Sequence, residues 1–198
     1  MSSKVRIAVV VGRHGTGTNM EAIADAVDRG EISGEIVLVT GPDPHAKALQ
    51  KARARGLTVA VEHDLLAELT AIKADIVCLA GYMKLIPPAT IAAFPRRMLN
   101  VHPSLLPKFG GRGMYALHVQ EAVLAAGETV TGCTVHYVDE HYDSGQIIVQ
   151  RSCPVLPDDT PETLAARVRV EEHIAYPQAI QQVILENFPS EELLVSGH

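Results

Sequence analysis

Asn100 and His102 stand two residues apart in the run MLNVHPSLLPKFGGRG, residues 98 to 113. Side chains two apart in a strand share a face. A strand ending here therefore sets an amide donor beside an imidazole, with Leu99 and Val101 turned to the core. Pro103 and the prolines and glycines that follow cannot continue a strand, which places the pair where strand opens into loop. Three more polar groups, His136, Asp139 and Asp143, fall within TVTGCTVHYVDEHYDSG, residues 129 to 145. His136, inside an apolar run, reads either as a hydrogen-bonded core histidine or as part of a site. Asp143 reads either as a turn residue or as a carboxylate partner for an imidazole.

These residue types suit acid/base and oxyanion chemistry. An imidazolium held by a carboxylate is stabilised in its charged form, and beside an amide donor it can stabilise a tetrahedral oxyanion. That is acyl transfer without a covalent enzyme intermediate. Nucleophilic catalysis has less support, because Ser104 lacks a GxSxG elbow and no cysteine lies in an electropositive loop. His102, His118, His136 and His141 fit neither HExxH nor a paired CxxC, so no metal is expected.

The elements that must position these groups alternate along the chain. VRIAVVV (5 to 11) reads as a strand, and GRHGTGTN (12 to 19) as a glycine loop. An apolar pattern at Met20, Ile23, Ala24 and Val27 reads as a helix. Thr18, with Glu21 three residues on, predicts a capping box that leaves backbone amides facing the loop. Such a helix start favours phosphate or carboxylate, although the loop is neither GxGxxG nor a P-loop and reads equally as a tight turn. Strands at 35–39, 57–61 and 74–80 alternate with helices at 46–55 and 65–73, which argues for a doubly wound α/β sheet. Ligands in such sheets lie beyond the carboxyl ends of the strands. Here that means the glycine loop, GYMKLIPP after Ala80 and HPSLLP after Val101. Tyr82, Met83, Leu85 and Ile86 either pack under a helix beginning near Pro88 or line an apolar slot for a flat ring. A helix from Tyr115 to Ala126 precedes two β-runs, 129–140 and 145–155, expected as an antiparallel hairpin. A long C-terminal helix follows, capped by Thr160 with Pro161 at its first position and a kink at Pro177. The tail SEELLVSGH, residues 190 to 198, reads as loose.

With 198 residues, 47% of them hydrophobic, the chain can bury a full core, and without linker or repeat it reads as one domain spanning 1–198. A net charge of −6 and the absence of a Lys/Arg cluster argue against a nucleic-acid partner. The short N-terminal apolar run reads as a first strand rather than a signal peptide or membrane span. Cys78, Cys133 and Cys153, odd in number and in apolar runs, read as reduced buried thiols of a cytoplasmic protein.

NVHPSLLPKFG (100–110), with TGCTVHYVDEHYDSGQIIVQ (131–150) downstream, closely resembles the folate-dependent formyltransferases. The likeness extends to the first glycine loop and to EEHIAYP (171–177) in the late helix. Within that family it points to the branch that formylates glycinamide ribonucleotide in purine synthesis. The resemblance implies a Rossmann-like fold, 10-formyltetrahydrofolate as formyl donor and glycinamide ribonucleotide as acceptor. It implies that Asn100, His102 and Asp143 are catalytic, that Gly17, Thr18 and Asn19 hold the ribonucleotide phosphate with Arg169, and that Glu172 meets the glycinamide end. Met83, Lys84, Leu85 and Ile86 would line the folate slot together with Asn100, and His136 would stand behind the site or touch substrate. A homodimer is left open.

Two features depart from the family pattern. GRHGTGTN is longer than the usual SGxGSN and carries His14 in place of a serine, and between Val61 and Leu69 the chain is shorter than many members, without the segment that usually supplies an arginine near the folate and phosphate sites. Other readings are a different folate-dependent formyltransferase, a formyltetrahydrofolate hydrolase, or a non-catalytic nucleotide-binding module. A tRNA-directed member would carry a further C-terminal domain, and a hydrolase an N-terminal regulatory one; neither is expected here.

Overall fold

The computed structural model describes residues 4 to 189. The tail expected to be loose, 190 to 198, lies outside the described residues. In chain order the elements are β1 (Val5–Val11), α1 (Thr18–Asp28), β2 (Gly34–Gly41), α2 (Lys47–Ala54), β3 (Val59–Val61), α3 (Leu65–Ala71), β4 (Ile76–Ala80), α4 (Pro88–Ala93), β5 (Met98–His102), α5 (Leu117–Ala125), β6 (Val130–Tyr137), β7 (Ile147–Pro154) and α6 (Pro161–Asn187).

The seven strands form one sheet in the order β3-β2-β1-β4-β5-β6-β7. The first five are parallel to one another, while β6 runs antiparallel to β5 and β7 antiparallel to β6. This is the doubly wound α/β class with a C-terminal antiparallel hairpin that the alternation predicts. Every residue of β4 is buried, as expected of an apolar strand covered on both faces. One face packs Met20 and Ile23 of α1, Leu49 of α2, Val119 and Val123 of α5, and Tyr176, Ile180 and Ile184 of α6 against the sheet. Leu65 and Leu69 of α3, with Phe94 after α4, cover the other.

The start of α1 differs from the expected cap. Gly17, at φ 80°, precedes the helix and no side chain caps it; Glu21 turns instead to the Lys51 ammonium, 2.6 Å away. The cause is local geometry. Only glycine adopts that left-handed backbone without strain, and a Cβ on Gly17 would sit 2.8 Å from Ala48 Cα. The turn is therefore complete at Gly17, and Thr18 already lies inside the helix. Similarly, α5 starts at Leu117 rather than Tyr115, because Ala116 holds φ 47°.

At the other end of the chain, Thr160 caps α6 through a reciprocal box with Thr163, and Pro161 occupies its first turn. The helix is continuous through Pro177. Its Tyr176 is fully buried where the β4–β5 ladder ends, at the Leu79–Asn100 pair. The tyrosine hydroxyl lies 2.8 Å from the Leu79 carbonyl oxygen and 3.1 Å from that of Leu99. One proton is thus shared between two carbonyl oxygens at the end of that ladder.

Candidate active site

β5 is the last parallel strand, and it pairs on its outer side with antiparallel β6. The register sets Asn100 opposite His136 and His102 opposite Thr134. Leu99 and Val101 face the core, so Asn100, His102 and His136 share the other face. The Asp143 loop closes over them.

His102 is almost wholly buried, and its two ring nitrogens are both engaged. Nε2 lies 2.8 Å from the Phe109 carbonyl oxygen, and Nδ1 lies 3.4 Å from Asp143 Oδ2. Both neighbours accept hydrogen bonds only, so the doubly protonated imidazolium satisfies the arrangement best. Asp143 Oδ2 also accepts the Gly111 N–H at 2.9 Å. Its other oxygen, Oδ1, stands 3.6 Å from His136 Nε2. Burial alone would raise the Asp143 carboxyl, but the facing His102 ring, its charge and the Gly111 N–H outweigh it. The group is held well below the ordinary carboxylate range.

The chain is shaped locally to present this carboxylate. Asp143 sits at φ 54°, a left-handed conformation that Asp tolerates better than most residues. Asp139 fixes the turn by accepting the Ser144 hydroxyl at 2.7 Å and the His141 N–H at 2.9 Å. At Gly145 a Cβ would overlap the Tyr137 carbonyl, which explains the glycine of the D-S-G turn. Being a turn residue and being the imidazole partner are two aspects of one conformation.

The residues that the sequence resemblance assigns to the acceptor lie nearby. Asn19 Nδ2 donates to Glu172 Oε2 at 2.9 Å, and Asn19 Oδ1 is buried without a partner among the described residues. The Asn19 side chain thus faces Glu172, and Gly17 and Thr18 offer backbone N–H groups at the start of α1. Burial pushes the Glu172 carboxyl up against the opposing effects of the Asn19 amide, Arg169 and His102. Arg169, three residues earlier on α6, shares the face of Glu172.

The loop after β4 divides between its two sequence readings. Ile86 is buried beside Phe94 and Met98; Met83 and Leu85 remain 47% and 48% exposed. Lys84 Nζ lies 3.0 Å from Glu62 Oε1, which also accepts the Tyr82 hydroxyl at 2.9 Å. Two contributors escaped sequence reasoning. The Phe109 contact is made by a backbone carbonyl, which no residue type announces. Glu62 sits in VEHD without a pattern to mark it.

A formyl transferase family match covers residues 5 to 180. The chain belongs to the formyl transferase family. It is 40% identical over 193 residues, 91% of this chain, to the chloroplastic phosphoribosylglycinamide formyltransferase of Vigna unguiculata, and spans 61% of that relative's length. It is also 38% identical over 193 residues to the trifunctional purine biosynthetic protein adenosine-3 of Drosophila melanogaster, of which it spans 14%. Among solved structures, glycinamide ribonucleotide transformylase 1 from Symbiobacterium toebii superposes with a TM-score of 0.84 at 39% identity, covering 91% of this chain and 88% of the other. Membership accounts for the fold. No helix among the described residues is long and apolar enough to cross a membrane.

Proposed function

We propose that the chain transfers the formyl group of 10-formyltetrahydrofolate to the amine of glycinamide ribonucleotide in purine synthesis. One observation carries the reading: Asn100, His102 and an ionised Asp143 converge at the carboxyl end of β5. The names of the relatives point the same way.

In this reading the acceptor amine attacks the formyl carbon and negative charge develops on the formyl oxygen. The Asn100 amide stabilises that charge by hydrogen bond, and the adjacent His102 imidazolium stabilises it by its positive charge. Asp143 holds His102 as imidazolium and takes the proton released by the attacking amine, through water. A new carbon–nitrogen bond forms, the bond to the folate nitrogen breaks, and that nitrogen leaves with a proton. Neither a metal nor a covalent enzyme intermediate enters.

The surrounding residues fit the two substrates. Backbone N–H groups at Gly17, Thr18 and Asn19, with Arg169, suit a phosphate. Glu172 suits the glycinamide end. Met83 and Leu85 offer apolar surface to the pterin ring, with Ile86 buried beneath them, and Lys84 offers a cation to an anionic folate tail. The three cysteines are free and buried, in keeping with action in the reducing cytoplasm, and the net charge of −6 with partners that are small molecules rather than nucleic acid.

The test offers purified protein 10-formyltetrahydrofolate with and without glycinamide ribonucleotide and follows loss of the formyl group. Loss that requires the ribonucleotide supports the reading. Loss without it would identify a hydrolase, and none in either case would overturn the assignment.

A further inference from the structure

Asn100 Nδ2 lies 3.3 Å from His136 Nε2, and the opposite ring nitrogen, His136 Nδ1, lies 2.8 Å from the Tyr137 carbonyl oxygen. A carbonyl only accepts, so the His136 proton belongs on Nδ1. In the neutral ring that leaves the lone pair on Nε2, where it accepts one hydrogen of the Asn100 amide. His136 is itself almost wholly buried, and its ring is held on two sides by cross-strand pairing and by the adjacent Gly145.

We propose that His136, in the Nδ1–H tautomer, is a positioning residue that fixes Asn100 as a hydrogen-bond donor toward the reacting carbonyl. The inference rests on the role proposed for Asn100. An asparagine amide has a donor end and an acceptor end of nearly the same shape, and a half-turn about its last bond exchanges them. Oxyanion stabilisation needs the NH₂ end. An Nε2 lone pair binds that end and not the carbonyl oxygen, so His136 selects the productive orientation. One amide hydrogen is held by His136 and the second is left for the formyl oxygen.

The groups facing the His136 ring are few. They are Asn100 on β5, the Tyr137 carbonyl on its own strand, and Asp143 Oδ1 at 3.6 Å from the intervening loop; His102 stands beyond, on the other carboxylate oxygen. A second proton on His136 would sit on Nε2 and point at Asp143, and the Asn100 amide would lose its acceptor. The neutral ring is therefore the form that orients Asn100.

The test separates orientation from bulk packing. His136→Gln keeps an acceptor near the Nε2 position, whereas His136→Leu fills the space without one. We expect His136→Leu to lose about 10- to 100-fold in kcat with KM for both substrates little changed, as for a misplaced oxyanion donor, and His136→Gln to recover most of that loss. Wild-type kcat in His136→Leu, or a loss in His136→Gln as large as in His136→Leu, would overturn the inference. A second measurement needs neither variant nor turnover. Long-range ¹H–¹⁵N correlation of the histidine rings in the wild-type protein should show His136 protonated on Nδ1 and bare on Nε2; the reverse tautomer would also overturn it. Because the ring measurement is independent of activity, failure of the proposed reaction is distinguishable from failure of this assignment.

Discussion

His102 Nε2 donates to the carbonyl oxygen of Phe109 across 2.8 Å. The catalytic candidate is therefore tied to the loop that follows its own strand as well as to Asp143. Phe109 holds φ 56°, a conformation a bulky residue rarely adopts, and its carbonyl is aimed at the ring by that conformation.

If the His102 charge stabilises the developing oxyanion, His102→Ala should reduce kcat by about 10² to 10³, the usual effect of removing one oxyanion-stabilising group. Thermal unfolding should change far less than activity. Steady-state kinetics on both substrates checks this, and near-wild-type kcat would remove His102 from the mechanism.

Asp143 makes stability depend on pH in a defined direction. Its carboxyl is lowered in the folded chain relative to an unfolded value of about 4. The stabilisation it contributes is present in full above that unfolded value and is lost as pH falls through it toward the depressed folded one. Urea unfolding of the wild type and Asp143→Asn at pH 5, 4 and 3 should show a stability difference that is largest at pH 5 and shrinks with acid. A difference that grows as pH falls contradicts the lowered carboxyl.

Lys73, which follows α3, is exposed and held at φ 50°. That is the position and conformation in which helices commonly end on glycine. Lys73→Gly should relieve the left-handed strain and stabilise the fold by about 0.5 to 1 kcal/mol, even after the greater freedom glycine gives the unfolded chain. Chemical denaturation reads this directly, and a loss of stability would show that the Lys73 side chain contributes more than its backbone costs.

Much of the fold was legible because burial and periodicity coincide. The uninterrupted apolar run at β4 announces a strand covered on both faces, and the Asn-x-His alternation announces a shared face on β5. The capping pattern at Thr18 misled because a side-chain cap and a left-handed glycine solve the same problem at a helix start, and a sequence holding both does not say which prevails. The packing of Gly17 against Ala48 decides it, and that contact joins residues 31 positions apart. Asn19 stands out in the sequence only as a candidate through the resemblance, and its pairing with Glu172 is not legible there, because the pairing depends on how α6 lies across α1. Contacts made by backbone groups, such as those of Phe109 and Gly111, leave no trace in residue identity.

The long final helix carries a consequence for how the protein comes into being. Asn19 waits for Glu172, 153 residues later, and the carbonyls of Leu79 and Leu99 wait for the hydroxyl of Tyr176. On the ribosome, where chains emerge amino end first, β1 to β5 are made long before the helix that joins them. The nascent chain therefore holds Asn100 and His102 while Arg169 and Glu172, the proposed seat for the acceptor, are still unmade, and the candidate site is complete only once the last helix has been synthesised.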